Sequence, residues 1–285
     1  MIDRVEPTAQ VRGITVPRFF YGTAWKEDAT EALAYAALGA GFRAIDTANQ
    51  RKHYYEEGVG RAITRRLGEG LPRDALFVQS KFTYRDGQDH RLPYDPGAPI
   101  AQQVRQSFDS SLAHLGVARL DSLVLHGPSR RDGLGPEDRE AWQAMEALVD
   151  VGGAQLIGIS NATAAQIEAL VGLARIPPAF VQNRCYAERG WDAAVRAVCE
   201  RHGIMYQGFS LLTANRQVLA HAGVRELAER HGKTTAQIVF RFALQLGMFP
   251  LTGTSDPAHM AQDLAAFDFE LSRAELSILE SAGRR

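Results

Sequence analysis

Cysteine is almost missing from this 285-residue chain: Cys185 and Cys199 are its only two. They form no Cys-x-x-Cys pair and belong to no Cys/His cluster at zinc spacing. A disulfide scaffold and a thiolate metal site are therefore excluded, and reduced thiols in the cytoplasm are expected. No apolar run reaches the ~18 residues of a membrane span. The first thirty residues lack the basic start and apolar run of a leader. Neither sign of charge is in excess, since 32 Lys and Arg meet 33 Asp and Glu. Basic pairs such as Arg65-Arg66 and Arg130-Arg131 are scattered, as on a solvated face, and form no stripe for nucleic acid. No Gly-x-Gly-x-x-Gly follows an apolar run and no P-loop pattern occurs, which removes the common nucleotide-binding loops. No stretch is rich enough in Pro, Gly or Ser to be a linker, so one domain over 1–285 is expected.

What is present is an alternation. Short apolar runs at 18–22, 42–46, 76–81, 121–126, 155–160, 179–182, 204–209 and 248–251 are each followed by helix-like stretches. Those stretches cover 28–39, 59–67, 100–115, 137–151, 164–173, 191–202, 218–231 with 235–246, and 258–264. Eight strand-then-helix units imply parallel strands joined by crossovers, and continuous apolar runs suit strands covered on both faces. A closed (β/α)₈ barrel of the α/β class is expected, with an open doubly wound sheet as the competitor. Alternating apolar residues around Gly13 at 10–17 suggest a β-hairpin capping the barrel bottom. Ser272-Arg273-Ala274-Glu275 is a capping box that opens a last helix.

Barrel enzymes build their sites where the strands end. The polar residues there are Asp46, Lys81, His126, Ser160-Asn161, Gln182 and Ser210, with Tyr54 and Tyr55 after the second strand. Each alone has a packing explanation; together they make a proton-delivery set for a carbonyl. An ammonium near a phenol favours phenolate, a carboxylate keeps the ammonium charged, and an imidazole can hold the substrate oxygen. Thr252-Gly253-Thr254-Ser255 offers hydroxyls and backbone N–H groups to an anion just before a helix.

The motifs carry a resemblance that covers nearly the whole chain. Gly22-Thr23-Ala24-Trp25, Gly41-Phe42-Arg43-Ala44-Ile45-Asp46-Thr47-Ala48, Gln79-Ser80-Lys81, Asp121-Ser122-Leu123-Val124-Leu125-His126 and Gly158-Ile159-Ser160-Asn161 resemble, in order, segments of the aldo-keto reductase family. The resemblance implies a nicotinamide-dependent oxidoreductase that reduces an aldehyde or ketone. Tyr54 would donate the proton, Lys81 and Asp46 would tune it, and His126 would orient the carbonyl. Ser160, Asn161 and Gln182 would bind the carboxamide, and Phe209 would stack on the nicotinamide. Ser210 and Leu212 would approach the pyrophosphate; Gly22 and Thr23 also fall on the cofactor side. Trp25 is the leading candidate for a substrate wall, followed by Tyr84 and then Tyr94; Trp191 is expected to pack.

Three departures from the family pattern matter. The segment Asn49–His53 is long, which leaves Tyr54 and Tyr55 both open as donors, with Tyr54 favoured. Where many members hold a 2′-phosphate with Lys-Ser and a later Arg, this chain has Gly253-Thr254 and His259. Without a fixed cation there, NADH or dual use joins NADPH as an expectation. The chain stops at Arg285 without the long C-terminal substrate loop of many members, so an open mouth is expected, covered in part by 84–99. A small carbonyl compound is the expected partner, without nucleic acid, membrane or metal, on a monomer or weak homo-oligomer. Two rivals remain on the same residues: a Schiff-base lyase with Lys81 as nucleophile, and a non-catalytic nucleotide-binding barrel that regulates a partner.

Overall fold

A computed structural model describes residues 5–283 of the chain. The expectations that reach residues 1–4 and 284–285, including the domain limits and the stop at Arg285, lie outside the described residues. Eight parallel strands close on themselves: β3 (Phe20–Gly22), β4 (Ala44–Asp46), β5 (Phe77–Phe82), β6 (Leu120–Leu125), β7 (Ala154–Ser160), β8 (Phe180–Arg184), β9 (Met205–Phe209) and β10 (Phe249–Thr252), with β10 pairing back onto β3. Ahead of them β1 (Thr8–Val11) and β2 (Ile14–Pro17) form the expected antiparallel hairpin. Helices follow the strands, so the (β/α)₈ barrel is present and the open sheet is not.

The period of two along a strand sorts its residues between the barrel interior and the helix layer. Tyr21, Ile45, Val78, Leu123, Ile157, Val181 and Tyr206 pack outward in one large core with the helices. The alternate residues point inward and fall into layers. Phe20, Phe77, Phe180 and Phe249 fill the bottom, ring centroids 5.6–6.5 Å apart, and Val11 and Val16 of the hairpin close the same cluster from below. Two residues further along these strands come Gln79 and Gln182, level with Gln207 of β9. Another step up brings Lys81 of β5 and Arg184 of β8, with Phe209 ending β9. Register alone thus converts an apolar floor into a polar top.

Most element limits fall within two residues of expectation, and three helical stretches show why theirs shift. Helix α2 runs Glu56–Gly68, three residues earlier than the apolar pattern, because Glu56 is buried by hydrogen bonds from Ser80 and Ser111. Helix α6 is Ala193–Arg201, since Trp191 and Asp192 both take positive φ (58° and 56°). The stretch 218–231 is two helices, α7 (Arg216–Leu219) and α8 (Ala222–His231), broken where His221 turns extended (ψ 132°). No helix among the described residues is long and apolar enough to cross a membrane.

Candidate active site

A cavity of about 890 Å³ opens at the C-terminal ends of the strands. Its wall contains Asp46, Tyr54 and His126, and every residue expected on the cofactor side except Thr23. Thr23 is fully buried, and both its backbone N–H and its hydroxyl donate to the Asp46 carbonyl. It therefore holds β3 to β4 and does not line this cavity. Three residues of the wall, Trp25, Asn161 and Ser210, have φ of 62°, 55° and 57°. Left-handed backbone at non-glycine residues is costly, and here it gathers at one mouth, as it does at functional sites.

Lys81 lies just beneath the cavity. Its ammonium donates to both carboxylate oxygens of Asp46 and to the Thr47 carbonyl, each at 2.7 Å. Burial pushes the lysine pKa down, and the carboxylates of Asp46 and Glu56 oppose that shift. All three of its N–H donors are spent, so none is left for a phenol. Tyr54 instead has its ring 5.1 Å from the ammonium and 5.9 Å from the His126 ring. Burial, and then the Asp46 carboxylate, hold the Tyr54 phenol well above its usual pKa. The expected lowering by Lys81 is not among the causes of this shift; the three hydrogens of its ammonium go to Asp46 and Thr47.

His126 is pushed down to about 3 by burial, with Lys81 and His53 adding repulsion. It is a neutral imidazole at physiological pH, and its Nδ1 lies 2.6 Å from the Thr83 hydroxyl. When Thr83 donates that bond, the ring's one N–H sits on Nε2.

The segment 47–55 places the tyrosine. Asn49 donates to the Ser107 carbonyl, Gln50 to the Gly87 carbonyl and Gln88 back to the Asn49 carbonyl. The backbone N–H of Tyr54 reaches the Gln50 carbonyl. Tyr54 then faces the cavity, whereas Tyr55 faces two guanidiniums, Arg51 at 4.2 Å and Arg61 at 5.3 Å. His53 stacks on the exposed Trp25 ring, centroids 3.8 Å apart.

Of the other aromatic residues, Tyr84 lines a second cavity of about 550 Å³ that shares His126 and Asn161 with the first. Its hydroxyl is tied to Asp138. Tyr94 is not a wall residue; it is buried, with its hydroxyl on the Thr83 carbonyl. Trp191 packs on Phe242 and donates to the Leu279 carbonyl, as expected.

Sequence reasoning missed Lys26. Its ammonium lies 2.6 Å from the Gly253 carbonyl, nearly buried in the cavity wall. The expectation of no fixed cation beside Gly253 is therefore corrected: the cation comes from the loop after β3. A Lys directly after Trp25 was the available signal. Arg184 adds a second cation to the wall. The glutamines Gln79 and Gln207 were also missed, because inside apolar runs they read as strand filler.

The model of the Aldo/keto reductase family matches residues 19–284. An aldo-keto reductase of Mycolicibacterium vanbaalenii is 31% identical over 267 residues, 93% of this chain and 88% of that protein. A glyoxal reductase of Bacillus subtilis is 28% identical over 274 residues, 95% of this chain and 91% of that protein. Among solved structures, a Bombyx mori aldo-keto reductase in complex with NADP superposes with a TM-score of 0.82 at 25% identity, covering 97% of this chain and 92% of that one. With the barrel, the strand-end residues and a family match over nearly all of its length, this chain belongs to the aldo/keto reductase family.

Proposed function

We propose that the protein reduces an aldehyde or ketone to an alcohol with NADPH or NADH, using Tyr54 as proton donor and His126 as the group that orients the carbonyl. The observation that carries this reading is the meeting of a half-buried phenol and a neutral imidazole on one cavity wall, directly over the Lys81–Asp46 pair. The cofactor, when bound, supplies the hydride to the carbonyl carbon. A phenol that holds its proton tightly until negative charge develops on the oxygen is suited to general acid work. The Nε2–H of His126 is the second donor to that oxygen.

The chain's own groups fit a dinucleotide. Among the described residues, Gln182 Oε1 and Asn161 Oδ1 make no hydrogen bond within the protein, while their amide nitrogens are engaged. Phe209 supplies a ring, Ser210 and Leu212 line the floor, and Lys26, Gly253, Thr254 and His259 form an end that can take phosphate. The second cavity suits the body of the substrate, and its mixed lining includes Gln50, Gln103 and Ser129 with the charges of Arg85, Arg130 and Glu137.

The Schiff-base reading is disfavoured by geometry. Lys81 is 1% exposed, lines neither cavity and is held as an ammonium by a carboxylate. The test is a fluorescence titration with NADPH and separately NADH, then turnover of a carbonyl panel that includes glyoxal, followed at the nicotinamide absorbance. Binding with turnover is expected. Binding without turnover of any carbonyl would favour the regulatory barrel, and binding of neither dinucleotide would overturn the redox reading.

A further inference from the structure

The inside of the barrel holds a closed circuit of side-chain amides. Asp46 Oδ1 accepts from Gln79 Nε2 at 2.7 Å and from Gln182 Nε2 at 2.9 Å. The second hydrogen of each amide goes to Gln207 Oε1, at 2.9 Å in both cases. Gln207 Nε2 returns a bond to Gln79 Oε1 at 3.2 Å. Gln79 and Gln207 are fully buried, and Gln182 and Asp46 are each 3% exposed.

The direction of every bond follows from one group. An ionised carboxylate only accepts, so the atoms that Gln79 and Gln182 turn toward Asp46 must be nitrogens. Each of these nitrogens has one hydrogen left, so the Gln207 atom between them must be an oxygen. Both hydrogens of Gln182 are then consumed inside the barrel, and its oxygen is what remains for the cavity.

We propose that Asp46 sets the polarity of the Gln182 amide through this circuit, and so fixes which end of the nicotinamide carboxamide the protein accepts. Asp46 thus has a role in cofactor recognition besides holding Lys81. Gln207 is a positioning residue that absorbs the spare hydrogens. The inference rests on the reading of Gln182 as the carboxamide partner.

Asp46 Oδ1 also accepts from Lys81, so the carboxylate and its ammonium are removed together, by Asp46→Leu with Lys81→Met. The amides of Gln79, Gln182 and Gln207 can then bond one another equally well in either direction, so Gln182 presents N–H to the cavity as readily as oxygen.

The experiment compares, by calorimetry, NADP⁺ or NAD⁺ (whichever binds more tightly) with its 3-acetylpyridine analogue, which has a methyl group in place of the carboxamide N–H₂. The wild-type protein is expected to bind the carboxamide about fivefold more tightly, the worth of one net hydrogen bond. In the double variant Asp46→Leu with Lys81→Met the ratio is expected to fall toward one, because an N–H in the cavity serves the carbonyl oxygen of either ligand. In Gln207→Leu both ligands weaken together and the ratio stays, because Asp46 still holds the nitrogen.

A full ratio in the double variant, or its collapse in Gln207→Leu alone, overturns the assignment. A wild-type ratio of one overturns it too, while leaving the reductase reading intact because the dinucleotide binds. Failure of the wild-type protein to bind any dinucleotide overturns both. Should the double variant not fold, Gln182→Leu carries the test. It removes the cavity-facing oxygen and leaves Asp46, Gln79 and Gln207 in place, so the ratio is expected to fall to about one, and a full ratio refutes the assignment.

Discussion

At the scale of single residues, the choice between two adjacent tyrosines decides the chemistry. Tyr54 lines the cavity beside His126, while Tyr55 sits between Arg51 and Arg61. Tyr54→Phe removes only the hydroxyl, so the dinucleotide should still bind while kcat for carbonyl reduction falls by roughly 10²–10⁴-fold, the usual worth of a positioned acid. Tyr55→Phe should leave kcat within about twofold. Steady-state kinetics on both variants check this, and the reverse pattern would move the donor to Tyr55. The strand-end residues Asp46, Lys81 and His126 were legible because each closes an apolar run at a place where a barrel has its site. The state of the phenol was not legible. Sequence spacing shows that an ammonium is near, but it does not show that Asp46 and Thr47 have taken all three of its hydrogens. Gln79 and Gln207 stayed hidden for a related reason, since their partners lie on other strands and only closure of the barrel brings them together.

At the scale of elements, the loop after β3 brings a cation to the loop after β10. The departure at Gly253-Thr254 suggested a cofactor end without a cation, yet Lys26 reaches across to the Gly253 carbonyl. The contact spans 227 positions in sequence, and nothing local to either loop announces it. Burial lowers the Lys26 pKa from the usual lysine value, and among the described residues one of its three donors is used, in this bond, so under the proposed function two can meet a phosphate. Lys26→Met keeps the stem and removes the charge. It should weaken dinucleotide binding by about tenfold, as expected for a charge-assisted bond, and should flatten the dependence of affinity on salt. Titrations of wild type and variant at two salt concentrations check both points. Unchanged affinity would mean that Lys26 serves only to tie the two loops. The same geometry alters what a lysine at Gly253 would do: a Cβ there lies 3.8 Å from the Lys26 nitrogen, so the new ammonium would enter beside an existing one.

At the scale of the whole molecule, the barrel separates stability from chemistry along its axis. The floor is four phenylalanines closed from below by a hairpin, which is held in place by Arg12 donating to the carbonyls of Pro177 and Pro178. The top is the charged site, and the glutamine layer lies between them. The alternation of eight units made the barrel legible, because its period needs no long-range information. The layering needed the register between strands, which no single strand carries. If the layers are as independent as this arrangement implies, a lesion in the floor should be felt as stability alone. Phe180 touches three of its neighbours' rings, those of Phe20, Phe77 and Phe249, and is fully buried. Phe180→Ala leaves a cavity that these rigid neighbours cannot fill and should cost about 3–5 kcal/mol. Dinucleotide affinity should stay within about twofold, because Gln182, two residues along the same strand, is fixed by Asp46 and Gln207 and not by the ring below it. Denaturant unfolding and a binding titration on the same variant measure the two quantities side by side. A loss of affinity that tracks the loss of stability would show that strain in the floor passes through the glutamine layer, and that the circuit around Asp46 depends on the packing beneath it.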